Sequence, residues 1–178
     1  MDRNDPARRP ASRQSAGDND DSILNNVSGL PDRRFFVISL DRKVALARRT
    51  LKPLALGVFR IDEFEEFAPY LRDHAIRVLS RVVQNTMRDS DTICHIEDSV
   101  IAAVLDDTSE TGAVWAADRI RRSLLETPAK DIVTMSAGLA CYPSHVMDAD
   151  ALLDEAYRAL NAARALGPGR IEVASVAE

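Results

Sequence analysis

Apolar residues along RRFFVISLDRKVALARR (33–49) fall at Phe36, Leu40, Val44 and Ala47, a helical period that predicts a first helix. LALGVFRI (54–61) is an almost unbroken apolar run and predicts a buried strand. EFEEFAPY (63–70) reads as a short helical turn broken by Pro69. Ile76, Leu79, Val83 and Met87 fall at i, i+3, i+7 and i+11 and predict a second helix. CHIEDSVI (94–101) reads as a hairpin, with strands near 92–96 and 99–105 joined at Glu97-Asp98. Thr108-Ser109-Glu110 offers a cap for a helix whose inner face is Val114, Ala117, Ile120 and Leu124. DIVTMSAGLACY (131–142) predicts a strand. DADALLDEAYRALNAARALG (148–167) predicts a helix stopped by Gly167, and RIEVA (170–174) a short closing strand.

This order contains a β-α-β-β-α-β core, the ferredoxin-like arrangement. The expected fold class is therefore α/β (α+β), with a central, mainly antiparallel five-stranded sheet flanked by helices. Ile93, Val104, Ile120, Val133 and Leu160 are expected to be buried. Residues 1–20 hold no large apolar residue after Met1 and read as a disordered tail. One domain is expected over 21–174, followed by a short tail over 175–178.

Composition narrows the function classes. A net charge of −5 disfavours a general nucleic-acid binder. No apolar run approaches the roughly 20 residues of a membrane span. The first residues have no apolar core, so they do not read as a secretory signal. The five Asp residues of 1–22 argue against a transit peptide. Cys94 and Cys141 lie inside apolar segments and are expected to be buried and reduced in a cytoplasmic protein. Trp115 sits on a helix and is expected to pack at the core or its edge. His74, His95 and His145 lack metal-ligand spacing.

Five stretches, in order, carry a resemblance. They are VSGLPDRRFF (27–36), RIDEFEEF (60–67), DRIRRSL (118–124), TMSAGLA (134–140) and AYRALNAARALGPGRIEV (156–173). Together they resemble the GGDEF family, the diguanylate cyclases. The family's hairpin tip carries G-G-D/E-E-F. Here those places fall on Glu97, Asp98, Ser99, Val100 and Ile101. A shift that made Glu97-Asp98 the acidic pair would put His95-Ile96 at the glycines and Ser99 at the phenylalanine, a poorer fit. A tight two-residue turn at Glu97-Asp98 would also need positive φ at residues that resist it.

The resemblance implies two Mg²⁺ held by carboxylates, one at the tip and one at the first Asp of D-I-D. Arg60 stands at that second place. The family's guanine-reading Asn falls near Ala68, and its second base-reading position near Ile76 or Arg77. Arg164 matches one phosphate-binding basic residue, while Pro168 stands at the other. These departures imply a chain with no cyclase activity and no cofactor. The family also carries R-x-x-D five residues before the tip, where cyclic di-GMP binds. Arg88 and Asp91 match it in register, and Arg119 matches an arginine that accompanies it from the next helix. A guanidinium fork suits the O6/N7 edge of guanine, and a carboxylate accepts from its N1 and N2 hydrogens. Inheritance without use, or an ion pair at a helix end, is equally compatible with these residues.

Three readings follow. The first is an inactive GGDEF-like domain that receives cyclic di-GMP through Arg88, Asp91 and Arg119. The second is a protein-interaction or dimerisation module that uses the fold alone, with a protein partner or a second copy. The third, an enzyme with altered nucleotide chemistry, lacks the carboxylates for its metals. No nucleic-acid or membrane partner is expected.

Overall fold

Asp32 opens the first helix, α1 (Arg33–Thr50), by accepting a hydrogen bond from the Phe35 N–H. That bond, followed by those of Arg34, holds the Asp32 carboxyl below its ordinary range. Phe36, Leu40, Val44 and Ala47 form the buried stripe that the period predicts. The computed structural model describes residues 22–175, so the tail expected over 1–20 and residues 176–178 lie outside it.

The further elements are β1 (Leu54–Ile61), a single 3-10 turn (Phe64–Glu66), α2 (Pro69–Thr86), β2 (Thr92–Glu97), β3 (Val100–Asp106), α3 (Glu110–Leu125), β4 (Met135–Tyr142), α4 (Ala149–Ala165) and β5 (Ile171–Val173). The sheet order is β2-β3-β1-β4-β5. β1 pairs antiparallel with β3 and β4, β2 pairs antiparallel with β3, and β5 pairs parallel with β4. The sheet is therefore mainly antiparallel and five-stranded.

The central strands are apolar on both faces because both faces are covered. Ala55, Phe59 and Ile61 of β1 join α2 and α3 residues such as Leu79, Val83 and Ile120 in one cluster. Leu54, Leu56 and Val58 point the other way and join Phe36 and Leu40 of α1 with Leu152 and Leu160 of α4. α4 lies very close to β4. A methyl group on Gly138 would stand 2.1 Å from the Ala156 carbonyl oxygen and 2.2 Å from the Leu160 nitrogen. Cys94 and Cys141 are buried, and burial pushes both thiols up to about 12, which leaves them unreactive.

Several local expectations need correction. Pro69 does not break a helix but occupies the first turn of α2, where its missing N–H costs nothing. β4 begins at Met135 rather than 131. The preceding residues turn, with the Ile132 and Val133 N–H groups both donating to the Ala129 carbonyl. Val114 faces outward, and Ala113 takes its place on the buried side of α3. Ile93 is only half-buried, whereas Val104, Ile120, Val133 and Leu160 are buried as expected. Among the described residues no helix is long and apolar enough to cross a membrane.

Candidate functional site

Arg88 follows α2, Asp91 precedes β2, and Arg119 lies in the middle of α3. All three line one pocket of about 370 Å³, together with Thr86, Trp115 and Arg122. The turn between α2 and β2 is held by its own residues. The Asp91 N–H donates to the Arg88 carbonyl (3.0 Å). The Arg88 N–H donates back to Asp91 Oδ2 (2.9 Å). Asp91 Oδ1 accepts from the Asp106 N–H at 3.3 Å, tying the turn to the end of β3. From outside, Lys43 of α1 donates to the Ser90 carbonyl (3.0 Å) and pairs with Asp106.

The arginines differ in how they are held. The Arg119 guanidinium donates to the Thr86 carbonyl at the end of α2. Arg122 pairs with Asp118 at 2.6 Å, and Asp118 also holds Arg121. Those contacts, Arg121 first, keep the Asp118 carboxyl below its ordinary range. The Arg88 guanidinium has no hydrogen-bond or ion-pair partner among the described residues. The arrangement is not a helix-end ion pair, because Asp91 binds backbone N–H groups rather than either guanidinium. Each carboxylate oxygen has two lone pairs, so Asp91 can still accept from a ligand.

The hairpin tip departs from expectation. Glu97 belongs to β2 and pairs with Val100, and the turn is Asp98-Ser99. A register shift between His95 and Glu97 takes up the extra residue. None of these tip residues has positive φ. The non-glycine residues that do are Leu51, Glu63 and Asp107 among those described. Glu97 therefore sits without the backbone cost that a Glu97-Asp98 turn would carry. Its Oε1 accepts from Tyr157 of α4 (2.7 Å) and from Arg33 of α1 (3.2 Å). Burial, reinforced by Glu97, pushes the Tyr157 phenol up.

Ser99 and Val100 are both buried. Arg60 is the cross-strand partner of Val100 and pairs with Glu65. Its Nε is buried without a hydrogen bond among the described residues. Arg60, Glu65, Glu97, Asp98 and Ser99 border a second, shallower space of about 400 Å³. Glu65 is held below the ordinary carboxylate range, first by its own backbone N–H and then by Arg60. Ala68 caps α2 through its backbone only, Ile76 is buried, and Arg77 lies 4.0 Å from Asp73. Arg164 and Pro168 are exposed.

His95 lies beneath the tip. Its Nδ1 is 3.0 Å from the Ser28 hydroxyl and its Nε2 3.3 Å from the Asp98 carbonyl. A neutral ring satisfies both, with Nε2–H donating and Nδ1 accepting. Burial pulls its pKa below 6.5, although the tip carbonyls act against this. The unfolded chain then takes up the proton at higher pH than the folded one. The resulting stability is present above about pH 6.5 and is lost as pH falls from there through the folded value. The melting temperature should fall between about pH 7.5 and about pH 5.5. His95→Gln should reduce that fall, and an unchanged pH slope would argue against a neutral buried ring.

Sequence reasoning missed Trp115, which is 71 % exposed rather than packed at the core or its edge, and the hold on Glu97 by Arg33 and Tyr157. The spacing of Trp115, Arg119 and Arg122, at i, i+4 and i+7, is the signal that puts them on one helix face.

The family model described as "Diguanylate cyclase, GGDEF domain" matches residues 22–170. The chain belongs to the GGDEF domain family. It is 29 % identical over 160 residues to the diguanylate cyclase DosC of Escherichia coli K12, covering 84 % of this chain and 35 % of DosC. The chain thus spans about a third of that relative. The GGDEF domain of PA1120 (TpbB or YfiN) from Pseudomonas aeruginosa has the same fold, with a TM-score of 0.78 at 24 % identity over 86 % of this chain and 95 % of that one. The coiled coil and GGDEF domain of DgcB from Caulobacter crescentus, solved in complex with c-di-GMP, gives 0.77 at 20 % identity over 86 % of each chain.

Proposed function

We propose that this domain is a cyclic di-GMP receptor without diguanylate cyclase activity. The observation that carries the reading is the meeting of Arg88, Asp91 and Arg119 in one pocket, with the Arg88 guanidinium unpaired among the described residues. Two charged donors and one carboxylate are the complement of a guanine edge and a phosphate. The complex of DgcB with c-di-GMP supports the choice of ligand class.

The residues at the tip do not suit the Mg²⁺ that the family implies. Mg²⁺ takes hard oxygen ligands, chiefly carboxylates. Val100 offers none, Ser99 offers a single hydroxyl, and Arg60 brings a cation already paired with Glu65. Glu97 turns its carboxylate to Arg33 and Tyr157. Among the described residues no group of three or more His, Cys, Asp or Glu is placed to hold a metal ion.

With Mg²⁺ and GTP, the protein should form no cyclic di-GMP detectable by chromatography. Formation of that product over repeated turnovers would overturn the inactive half of the reading. Cyclic di-GMP should raise the melting temperature, since a ligand that binds only the folded state stabilises it. GTP and cyclic di-AMP should not. Equal shifts with all three would remove the guanine-dinucleotide reading.

The interaction-module reading has one observation in its favour. Phe35, Ile38 and Leu46 lie exposed along the outer side of α1. A dimer that forms without nucleotide and is lost in Ile38→Glu would support it.

A further inference from the structure

Trp115 is the chain's single tryptophan. It lines two adjoining depressions. One is the pocket of Arg88, Asp91 and Arg119. The other, of about 480 Å³, lies between α3 and β5 and is bordered by Val114, Arg170 and Ile171. The two share Trp115, Asp118 and Arg122, so the indole stands on the divide between them.

A lone exposed apolar side chain needs no explanation. This one differs in its surroundings. Arg119 is fixed by the Thr86 carbonyl and Arg122 by Asp118, both within reach of the same pocket. The Arg88 guanidinium has no partner among the described residues. Among the described residues no guanidinium lies over the Trp115 ring, and Arg119 and Arg122 are held by their own partners. A flat ring beside fixed donors is the pairing that nucleobase sites use, because stacking fills the base plane while hydrogen bonds read its edge.

We propose that Trp115 is the stacking surface of this pocket, taking one guanine of a cyclic dinucleotide against its indole while Arg88, Arg119 and Asp91 read the edge of that base. The inference rests on the receptor reading above. Trp115 supplies the stacking plane and so affinity, while the hydrogen bonds of Arg88, Arg119 and Asp91 supply the choice of base.

The single tryptophan makes the test direct. The full chain is titrated with cyclic di-GMP while intrinsic fluorescence and heat are followed in parallel. The expected result is quenching that saturates along the same curve as the heat. Trp115→Ala should weaken binding roughly 5- to 150-fold. Trp115→Phe should recover much of that loss. Both variants should melt like the parent, since the side chain is exposed. Heat of binding with unchanged fluorescence, and with Trp115→Ala binding as tightly as the parent, would overturn the stacking role and leave the pocket standing. Neither heat nor quenching would overturn the receptor reading and this inference with it.

Discussion

Gly138→Ala is expected to lower the melting temperature by about 6–12 °C or to abolish folding. The added Cβ would meet backbone atoms of α4 at 2.1 and 2.2 Å, and the Leu160 Cα at 2.8 Å. Backbone cannot swing aside as a side-chain tip can, so α4 must lift from β4. That lift loosens Leu152, Ala156 and Leu160, which pack on this face of the sheet. Overpacking a tight core costs about 1–3 kcal/mol and occasionally more. Contacts this short place the change at about 3 kcal/mol or above, and each kcal/mol is about 2–4 °C in a chain of this size. Gly112→Ala is the contrast. Its Cβ meets the Thr108 side chain at 3.0 Å and the Ser109 hydroxyl at 3.7 Å, both side-chain atoms, and alanine has the higher helix propensity. It should cost little or stabilise. Thermal melts of the two variants decide the matter, and a Gly138→Ala protein that melts like the parent would mean that α4 does not lie on β4.

Arg88→Ala should weaken cyclic di-GMP binding about 10- to 150-fold, the effect of removing one partner of a charged hydrogen bond worth about 1.5–3 kcal/mol. Because its guanidinium makes no hydrogen bond or ion pair among the described residues, the melting temperature of the free protein should change little. Arg119→Ala should weaken binding similarly. Its contact with the Thr86 carbonyl also joins α3 to the end of α2, so some stability goes with it. Asp91→Ala should do both. It removes a ligand acceptor and takes from the Arg88 and Asp106 N–H groups their carboxylate, at about 0.5–1.5 kcal/mol for each hydrogen bond lost. Arg60→Ala lies at the hairpin tip and should leave binding unchanged. Calorimetry paired with melts separates the two kinds of loss. A receptor site predicts that Arg88→Ala changes affinity alone, and equal affinity in Arg88→Ala would remove that residue from the site.

The elements were legible where burial imposes one clear period. Phe36, Leu40, Val44 and Ala47 mark α1 without competition, and the apolar run of β1 is bounded by polar residues and Pro53. α3 was harder, because AVWAA (113–117) is apolar at five successive positions. No period can say which of these faces inward, and the phase chosen put Val114 inside and Trp115 at the core or its edge. The hairpin was legible as a hairpin, but its turn was not. The bulge between His95 and Glu97 moves the tip by one residue, and alternation alone does not reveal it. Ile132 and Val133 have strand character, yet their N–H groups are spent on one helical-type turn before β4 begins. The three pocket residues were readable from motif register. The anchoring of Arg119 by a backbone carbonyl and the aromatic wall beside it were not, since both depend on how α2 and α3 pack.

The central claim, that a guanine dinucleotide binds at Arg88, Asp91 and Arg119, is tested most directly by calorimetric titration of the full chain with cyclic di-GMP. A saturable binding heat, with affinity tighter than about 100 μM and loss of about tenfold or more in Arg88→Ala, is the predicted result. No binding at about 100 μM ligand, weaker than about −5.5 kcal/mol, would contradict it.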